Sequence, residues 1–420
     1  VKIFLFNDSR SQNNWGCRAT TNALLGMLNR HEHEVVGLFA LERLTSLKQS
    51  PLNVITKHLL RSTPLLYKSV RSTAWAVKKR LGASSEFVTD IAGFEKLADL
   101  ILHGKIWQKD LPRMLESDVF LVNGEGSIYG KEVKGYLTLF ACWFAKTRLN
   151  KICALVNHTA DYTDDRMRAL GKTVLPLLDD VTFREPISYR KYAVFAPQVS
   201  EGFVPDAAFI HKPLTRAELC RLTVMDGSLD FWPYSSKNFQ PTEPYVCILG
   251  SSALGRPEHG NRFPLGDFSK LISEVKRTIS QVVLVASDTT DEAPFCTLAK
   301  EHNLAFFPAM VPTIIGSSIL ANAECLIGGR WHPSILGARG GTPSIMMTAN
   351  TTKTTALLEM LGLETETFDA SNPAKQLVRI VDRLRNYLQA GQTLRKSIEE
   401  KAIEFASLAN ENIRVCKWVN

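Results

Sequence analysis

The sequence predicts an α/β protein of two domains, each built on a parallel sheet, and three observations carry that expectation. Short apolar runs alternate with helix-periodic segments of about ten residues, the pattern of strands joined by crossover helices. The alternation breaks once, over 212–244, where Pro, Ser, Asn and aromatic residues collect (FWPYSSKNFQPTEP). At 420 residues the chain is long enough for two cores. The division expected is an N-terminal α/β domain over 1–211, a linker over 212–244, a second α/β domain over 245–372 and a helical tail over 373–420.

Residues 1–6 (VKIFLF) are a continuous apolar run of the kind that opens a buried parallel sheet. The polar loop NDSRSQNNWGC follows, then a helix predicted over 18–28. In an open α/β sheet this first loop is a favoured ligand position, with a helix N-terminus facing the ligand. Gly16 is its only glycine, so it is a weak phosphate motif, and a merely solvated connection fits as well.

Residues 46–85 carry eight Lys or Arg and no Asp or Glu, whereas the rest of the chain is balanced, so the net charge of +8 is local. Apolar residues there recur at helical spacing (Leu52, Ile55, Leu59, then Leu66, Val70, Val77, Leu81), with Pro64 opening a second helix. A basic amphipathic pair suits an anionic membrane surface or a polyanionic acceptor, and equally a solvated face. No nucleic-acid motif accompanies the charge, so nucleic acid is not an expected partner.

A helix over 94–103 precedes a strand over 118–122 that ends in NGEGSIYG. Gly124 and Gly126 allow close backbone approach to a ligand, and Glu125 between them is a candidate acid or base. A helix over 133–145 leads to a strand over 152–156, ending in Asn157, His158 and Thr159. After a helix over 164–171, a strand over 181–183 ends at Arg184 and Glu185, which could also be a strand-end salt bridge. The domain closes on VPDAAF, where Asp206 either caps a turn or faces a cleft.

The second domain opens with a strand over 245–249 and the loop GSSALGR. Helices over 268–279, 292–302 and 313–323 then alternate with strands over 282–286 and 304–307. The stretch 325–345, CLIGGRWHPSILGARGGTPSI, is the richest in chemistry. It reads as strand, paired glycines, cation and imidazole, then a helix over 334–339, a glycine stop and a new strand. Arg330 offers a bidentate fork for phosphate or carboxylate, His332 a titratable donor, and the helix N-terminus free N–H groups. The alternative is an Arg–carboxylate ion pair beside a satisfied loop histidine. In the tail, Leu377, Ile380, Leu384 and Leu388 form an apolar stripe.

Hydrophobic and charged contents of 45% and 22% are those of a soluble globular protein. No apolar run approaches about 18 residues, so no membrane-spanning helix is expected. A strand at the first residues leaves no visible signal peptide. The eight cysteines are scattered without a CxxC pair, which points to reduced thiols, a cytoplasmic protein and no structural zinc.

In order and spacing, NNWGCRATTNALL, DVFLVNGEGSIYG, VTFREPISYRKY, VPDAAF and IGGRWHPSILGARGGTPSI resemble the polysaccharide pyruvyl transferase family, from about Asn7 to Ile345. The resemblance implies two Rossmann-like domains in a GT-B-like arrangement, with the active cleft between them and a helical C-terminal tail. It implies a transferase that moves the carboxyvinyl group of phosphoenolpyruvate onto hydroxyls of a cell-surface polysaccharide or its lipid-linked precursor. The products are a pyruvyl ketal and phosphate, and no cofactor or metal is called for. By resemblance Arg330 and His332 hold phosphoenolpyruvate. Gly329, Arg184, Arg256 and Ser251 are further donor-side candidates; Asn14, Gly16, Asn123, Gly124, Gly126, Asn157 and Asp206 are acceptor-side candidates. His332 is the first candidate to protonate the methylene carbon and Glu125 the second, and the base is sought among Glu125, Asp8, His158 and Asp206.

The pattern departs from the family at two places. Cys17 follows Gly16 where Asn-x-Gly-Asp is usual, and 157–161 (NHTAD) replaces a Gly- and Pro-rich turn. Both lie in the acceptor-side domain and leave the acceptor open. The alternative is a GT-B glycosyltransferase, with Arg330 on the phosphate of a nucleotide sugar and a nucleoside pocket from 250–256 and Asp288, Thr289 and Thr290. On either reading the basic stretch 46–85 would hold the enzyme against the anionic inner face of the plasma membrane or an acidic acceptor.

Overall fold

The computed structural model describes residues 1–41, 88–197, 202–222, 239–255 and 262–419. The basic stretch 46–85, Arg256 and much of the expected linker lie outside the described residues.

The chain forms two five-stranded parallel sheets. The first contains β1 (Lys2–Phe6), β2 (Glu34–Phe39), β3 (Val119–Tyr129), β4 (Ile152–Asp161) and β5 (Asp180–Phe183), in the order β2-β1-β3-β4-β5. The second contains β6 (Tyr245–Ser251), β7 (Gln281–Val285), β8 (Ala305–Phe307), β9 (Cys325–Gly329) and β10 (Ser344–Met346), in the order β10-β9-β6-β7-β8. Each order reverses once, between β1 and β3 and between β6 and β9. Connections leaving such a point diverge to opposite faces and open a crevice at the strands' carboxyl ends.

The helices that matter for the site are α1 (Trp15–Arg30), α2 (Val133–Thr147), α3 (Thr313–Ala321), α4 (Trp331–Ala338), α5 (Lys353–Leu361) and α6 (Leu377–Leu408). β1 shows why an unbroken apolar run becomes a central strand. Phe4 and Phe6 face a core with Phe39 and Phe120, while Ile3 and Leu5 face Leu24, Leu28 and the tail's Ile413 and Val415. Both faces of the strand are dry, so polar alternation has no place in it.

Three differences from the sequence reading have physical causes. β2 was not expected, because Gly37 interrupts its apolar run; that glycine lies under Phe4, whose ring leaves only 2.5 Å for a Cβ. β3 and β4 run past the predicted ends at 122 and 156, so Gly124, Glu125, Gly126, Asn157 and His158 lie within strands. Register shifts after Glu125 and after Leu155, and positive φ at Glu125 (46°) and Asn157 (56°), re-aim the side chains there. α4 begins at Trp331 rather than 334, because Pro333 falls in a first turn whose N–H groups have no intrahelical acceptor.

The tail spans both domains. α6 bends at Gly391 (φ 51°), and the 3-10 segment Ala409–Trp418 returns to the first sheet. There Arg414 forks onto the buried Asp180 at 2.9 and 2.6 Å. Among the described residues no helix is long and apolar enough to cross a membrane.

Trp15, the first residue of α1, is fully buried within the second domain's core. Its Nε1–H donates to Ala309 O at 3.0 Å, and its ring lies on Gly316 of α3, where a Cβ would come within 2.6 Å. This indole therefore pins the first domain to the second. Trp15→Ala is expected to cost about 3–5 kcal/mol, read as a lower midpoint in urea denaturation; a loss under about 1 kcal/mol would mean that the indole is no anchor.

Candidate active site

A cleft of about 260 Å³ lies where the carboxyl ends of the two sheets face each other. The first domain lines it with Asn7, Gln12, Asn14 and Cys17 after β1, with Glu125 and Gly126 in β3, with Lys134 of α2, and with Arg184 after β5. The second contributes Ser252 after β6, Asp288 after β7, Arg330, Trp331 and His332 after β9, and Asn350 and Lys353 after β10. The walls thus come largely from the two reversal points.

His332 sits in the first turn of α4 and reaches into the first domain. Its Nε2 is 3.3 Å from Thr20 Oγ1, Arg184 Nη1 and Asp206 Oδ2 alike. Asp206 is fully buried, and its Oδ2 also accepts from Arg184 Nη1 at 2.7 Å and Trp331 Nε1 at 2.9 Å. Burial by itself would raise the Asp206 pKa, but His332, Arg184 and the Trp331 donor hold it well below the usual carboxylate range. On its other side the imidazole lies against Gly16, where a Cβ would fall 2.0 Å from Nδ1. Only glycine leaves room for this ring.

Glu125 faces the cleft from the irregular part of β3. Its Oε1 accepts from Ser9 Oγ at 2.5 Å and Asn123 Nδ2 at 3.3 Å, and its Oε2 from Cys17 Sγ at 3.3 Å. Burial, with the Glu125 charge next to it, pushes the Cys17 thiol up, so it stays protonated and donates. Residue 17 thus orients the carboxylate.

Arg330 lines the cleft, but its fork is already engaged. Nε and Nη2 donate to the buried Asp291 at 2.8 and 2.7 Å, and Nη2 also donates to Thr290 Oγ1 at 2.7 Å. Nη1 lies 3.9 Å from Asp288. What Arg330 offers a ligand is one edge and its charge, beside the open N-terminus of α4.

The structure does not bring every candidate to the cleft. Asp8 is engaged by Arg10 at 2.9 and 2.8 Å and does not line it. His158 is fully buried behind Gly124, with Nδ1–H on Thr182 O at 2.9 Å. Asn123 and Asn157 bond to each other at 3.2 Å beneath the cleft floor, where Asn157 also accepts from Ala207 N at 2.8 Å. Ser251 donates to Thr348 O at 2.5 Å, and Gly329 packs against that hydroxyl; neither lines the cleft. Asn14 caps α1 by accepting from Cys17 N at 3.1 Å and crosses to Asp288 at 2.6 Å. Missed were Lys134 and Lys353, whereas Ser252 lies in the loop 250–256 that the sequence offered for a nucleoside. Lys353 could have been found as a lysine at a helix start, where the dipole disfavours a cation. Among the described residues no cluster of three or more His, Cys, Asp or Glu could hold a metal ion.

A family model described as polysaccharide pyruvyl transferase matches residues 14–350. No curated protein matches by sequence. Among solved structures, UDP-GlcNAc 2-epimerase from Neisseria meningitidis, bound to UDP-GlcNAc, is similar with a TM-score of 0.53 at 11% identity, covering 99% of each chain. The N-terminal domain of Candida albicans trehalose-6-phosphate phosphatase is similar with a TM-score of 0.53 at 10% identity, covering 99% of this chain and 96% of that one. UDP-GlcNAc 2-epimerase from Methanocaldococcus jannaschii has a TM-score of 0.51 at 11% identity, covering 97% of this chain and all of that one. These likenesses establish the GT-B-like fold.

Burial lowers the His158 pKa to about 3 from an ordinary 6.5; the bond to Thr182 opposes the shift and the charge of Arg184 adds to it. The unfolded chain therefore takes up this proton first. The stability contributed is full above pH 6.5 and is lost as pH falls toward 3. Between those limits the wild type is expected to lose up to about 1.4 kcal/mol per pH unit more than His158→Gln, measured by urea denaturation at several pH values. Equal slopes would show that His158 titrates alike in both states.

Proposed function

The chain belongs to the polysaccharide pyruvyl transferase family, and from that premise we propose that its cleft moves the carboxyvinyl group of phosphoenolpyruvate onto hydroxyls of a saccharide acceptor. The observation that supports this reading is a single cleft in which cations of both domains, Arg184 and Lys134 with Arg330 and Lys353, face Glu125 and His332. A donor bearing both a carboxylate and a phosphate needs such a lining, and one sugar hydroxyl at a time needs such an acid and base.

The chemistry asks each residue for a definite task. His332 delivers a proton to the methylene carbon, so that positive charge develops at the adjacent carbon. Nε2 holds the ring in the cleft wall in either state: protonated, it faces Asp206; deprotonated, it can accept from Arg184. Glu125 takes the proton of the attacking hydroxyl, held in place by Ser9, Asn123 and Cys17. A second hydroxyl of the same sugar then displaces phosphate, which leaves with that hydroxyl's proton. One hydroxyl proton is thereby replaced on the methyl carbon and the other departs on phosphate, so the ketal and inorganic phosphate balance the reactants. The acceptor is a surface polysaccharide or its lipid-linked precursor.

The test is calorimetric titration with phosphoenolpyruvate and, separately, with UDP and UDP-GlcNAc. Arg330→Ala is a poor control, because it would leave Asp291 buried without its cation. Glu125→Gln keeps the shape and removes the charge. It is expected to bind phosphoenolpyruvate like the wild type yet release phosphate about 10²–10⁴-fold more slowly with acceptor present. Binding of UDP-GlcNAc without phosphoenolpyruvate would replace this reading with glycosyl transfer. Gly16→Ala, which displaces the His332 ring, should keep the fold and lower turnover by about 10²-fold; unchanged turnover would remove His332 from the chemistry.

A further inference from the structure

Beneath the cleft floor a chain of buried hydrogen bonds runs from Glu125 to the C-terminal tail. Asn123, Asn157 and Asn412 are fully buried, and Thr182 is 1% exposed. Asn123 Nδ2 donates to Glu125 Oε1 at 3.3 Å, and its Oδ1 accepts from Asn157 Nδ2 at 3.2 Å. Asn157 Oδ1 accepts from the backbone N–H of Ala207 at 2.8 Å, and its own backbone N–H donates to Thr182 Oγ1 at 3.2 Å. Thr182 Oγ1–H donates in turn to Asn412 Oδ1 at 3.1 Å, and Asn412 Nδ2 donates to Pro205 O at 2.9 Å.

The backbone sets the sense of these bonds. The N–H of Ala207 can only donate, so Asn157 must turn Oδ1 to it and Nδ2 to Asn123. Asn123 must then present Oδ1 to Asn157, and its Nδ2 is left for Glu125 and for Asn7 O at 3.4 Å. A donor therefore faces the carboxylate, although an unconstrained asparagine side chain could offer an acceptor as readily. Turning either amide over would set acceptors face to face in a place closed to water. On the far side the tail closes the chain. Asn412 joins Thr182 of β5 to Pro205, and Arg414 forks onto Asp180 of the same strand.

We propose that Asn157 is a positioning residue for Glu125, acting through Asn123, and that the C-terminal segment completes this device by fixing Asn157 through Thr182 and Asn412. The role of Glu125 as base rests on the reading above; the chain of bonds does not. Asn123 and Asn157, which the sequence offers as acceptor-side residues, thus serve the cleft from below without lining it.

The experiment measures phosphate release from phosphoenolpyruvate, with methyl glycosides of glucose, galactose and N-acetylglucosamine as acceptor probes. The proteins are wild type, Asn157→Gly, Thr182→Val, Thr182→Ser, Glu125→Gln, and Glu125→Gln combined with Asn157→Gly or with Thr182→Val. Crystal structures of ligand-free Asn157→Gly and Thr182→Val run alongside. Glycine accepts the positive φ of residue 157 (56°), and valine keeps the shape of threonine in a strand. Asn157→Gly and Thr182→Val are expected to lower kcat about ten- to a hundredfold with KM for phosphoenolpyruvate unchanged. Thr182→Ser, which keeps the hydroxyl, should retain most of the rate. In the Glu125→Gln background both substitutions should cost a smaller factor, because no carboxylate is left to misplace. Equal factors in the two backgrounds would overturn the proposal, since Asn157 would then not act through Glu125. Wild-type kinetics in Thr182→Val alone would remove the tail from the device. In the crystals Asn123 and Glu125 are expected to leave their wild-type rotamers; both side chains in place would overturn the proposal, and Thr182→Val decides if Asn157→Gly fails to fold. If the wild type releases no phosphate with any glycoside, the donor reading loses its support, and the crystal structures still decide the positioning.

Discussion

The structure depends on a buried carboxylate that both domains share. Asp206, at the close of the first domain, accepts from Arg184 of its own domain and from Trp331 of the second, and faces His332. Its other oxygen accepts from Ala208 N at 2.8 Å and Thr20 Oγ1 at 3.4 Å. A carboxylate this deep is tolerable only when every lone pair is met by a donor, and removing one partner of such a pair leaves a charge that water cannot reach. Domain closure and the placement of the imidazole are therefore one interaction.

Around this hub, close contact replaces flexibility. Gly16 admits the imidazole, Gly316 admits the Trp15 ring, Gly250 admits the Asp291 carboxylate that engages Arg330, and Gly126 leaves open the space beneath Arg184 and Lys353. At each position a Cβ would stand within about the distance at which a neighbour must shift. The glycines thus set how near the charged groups come to one another, and hence how strongly they interact in a poorly screened cleft.

Of the three arginines that the sequence offers for an anion, the two among the described residues are used differently. Arg330 spends its fork on Asp291 and holds the loop after β7 against the start of α4. Arg184 spends two of its nitrogens on Thr159 and Asp206 and turns the third to the cleft. The same side chain can therefore be framework or ligand-facing, according to which acid the fold brings within about 3 Å.

By itself the sequence determined the layers, every strand but β2 and the positions at which polar residues interrupt them, because strand and helix periodicity are local properties. It also placed Glu125, Arg184, Arg330 and His332 at or just after the carboxyl ends of strands, where a parallel sheet opens, and Asp206 at a turn that could face the cleft. It could not show that Glu125 lies on an extended, bulged strand, that His158 and Asn157 turn into the core, or that Lys353 belongs to the cleft. It gave no sign that Cys17 would orient Glu125 or that Gly16 makes room for His332. Tertiary structure decided these, because the contacts join residues of different strands and helices, from 24 positions apart for His158 and Thr182 to about three hundred for Gly16 and His332. Such pairings arise only once two sheets and a returning tail have fixed the domains on each other, and no local pattern encodes the distance between them.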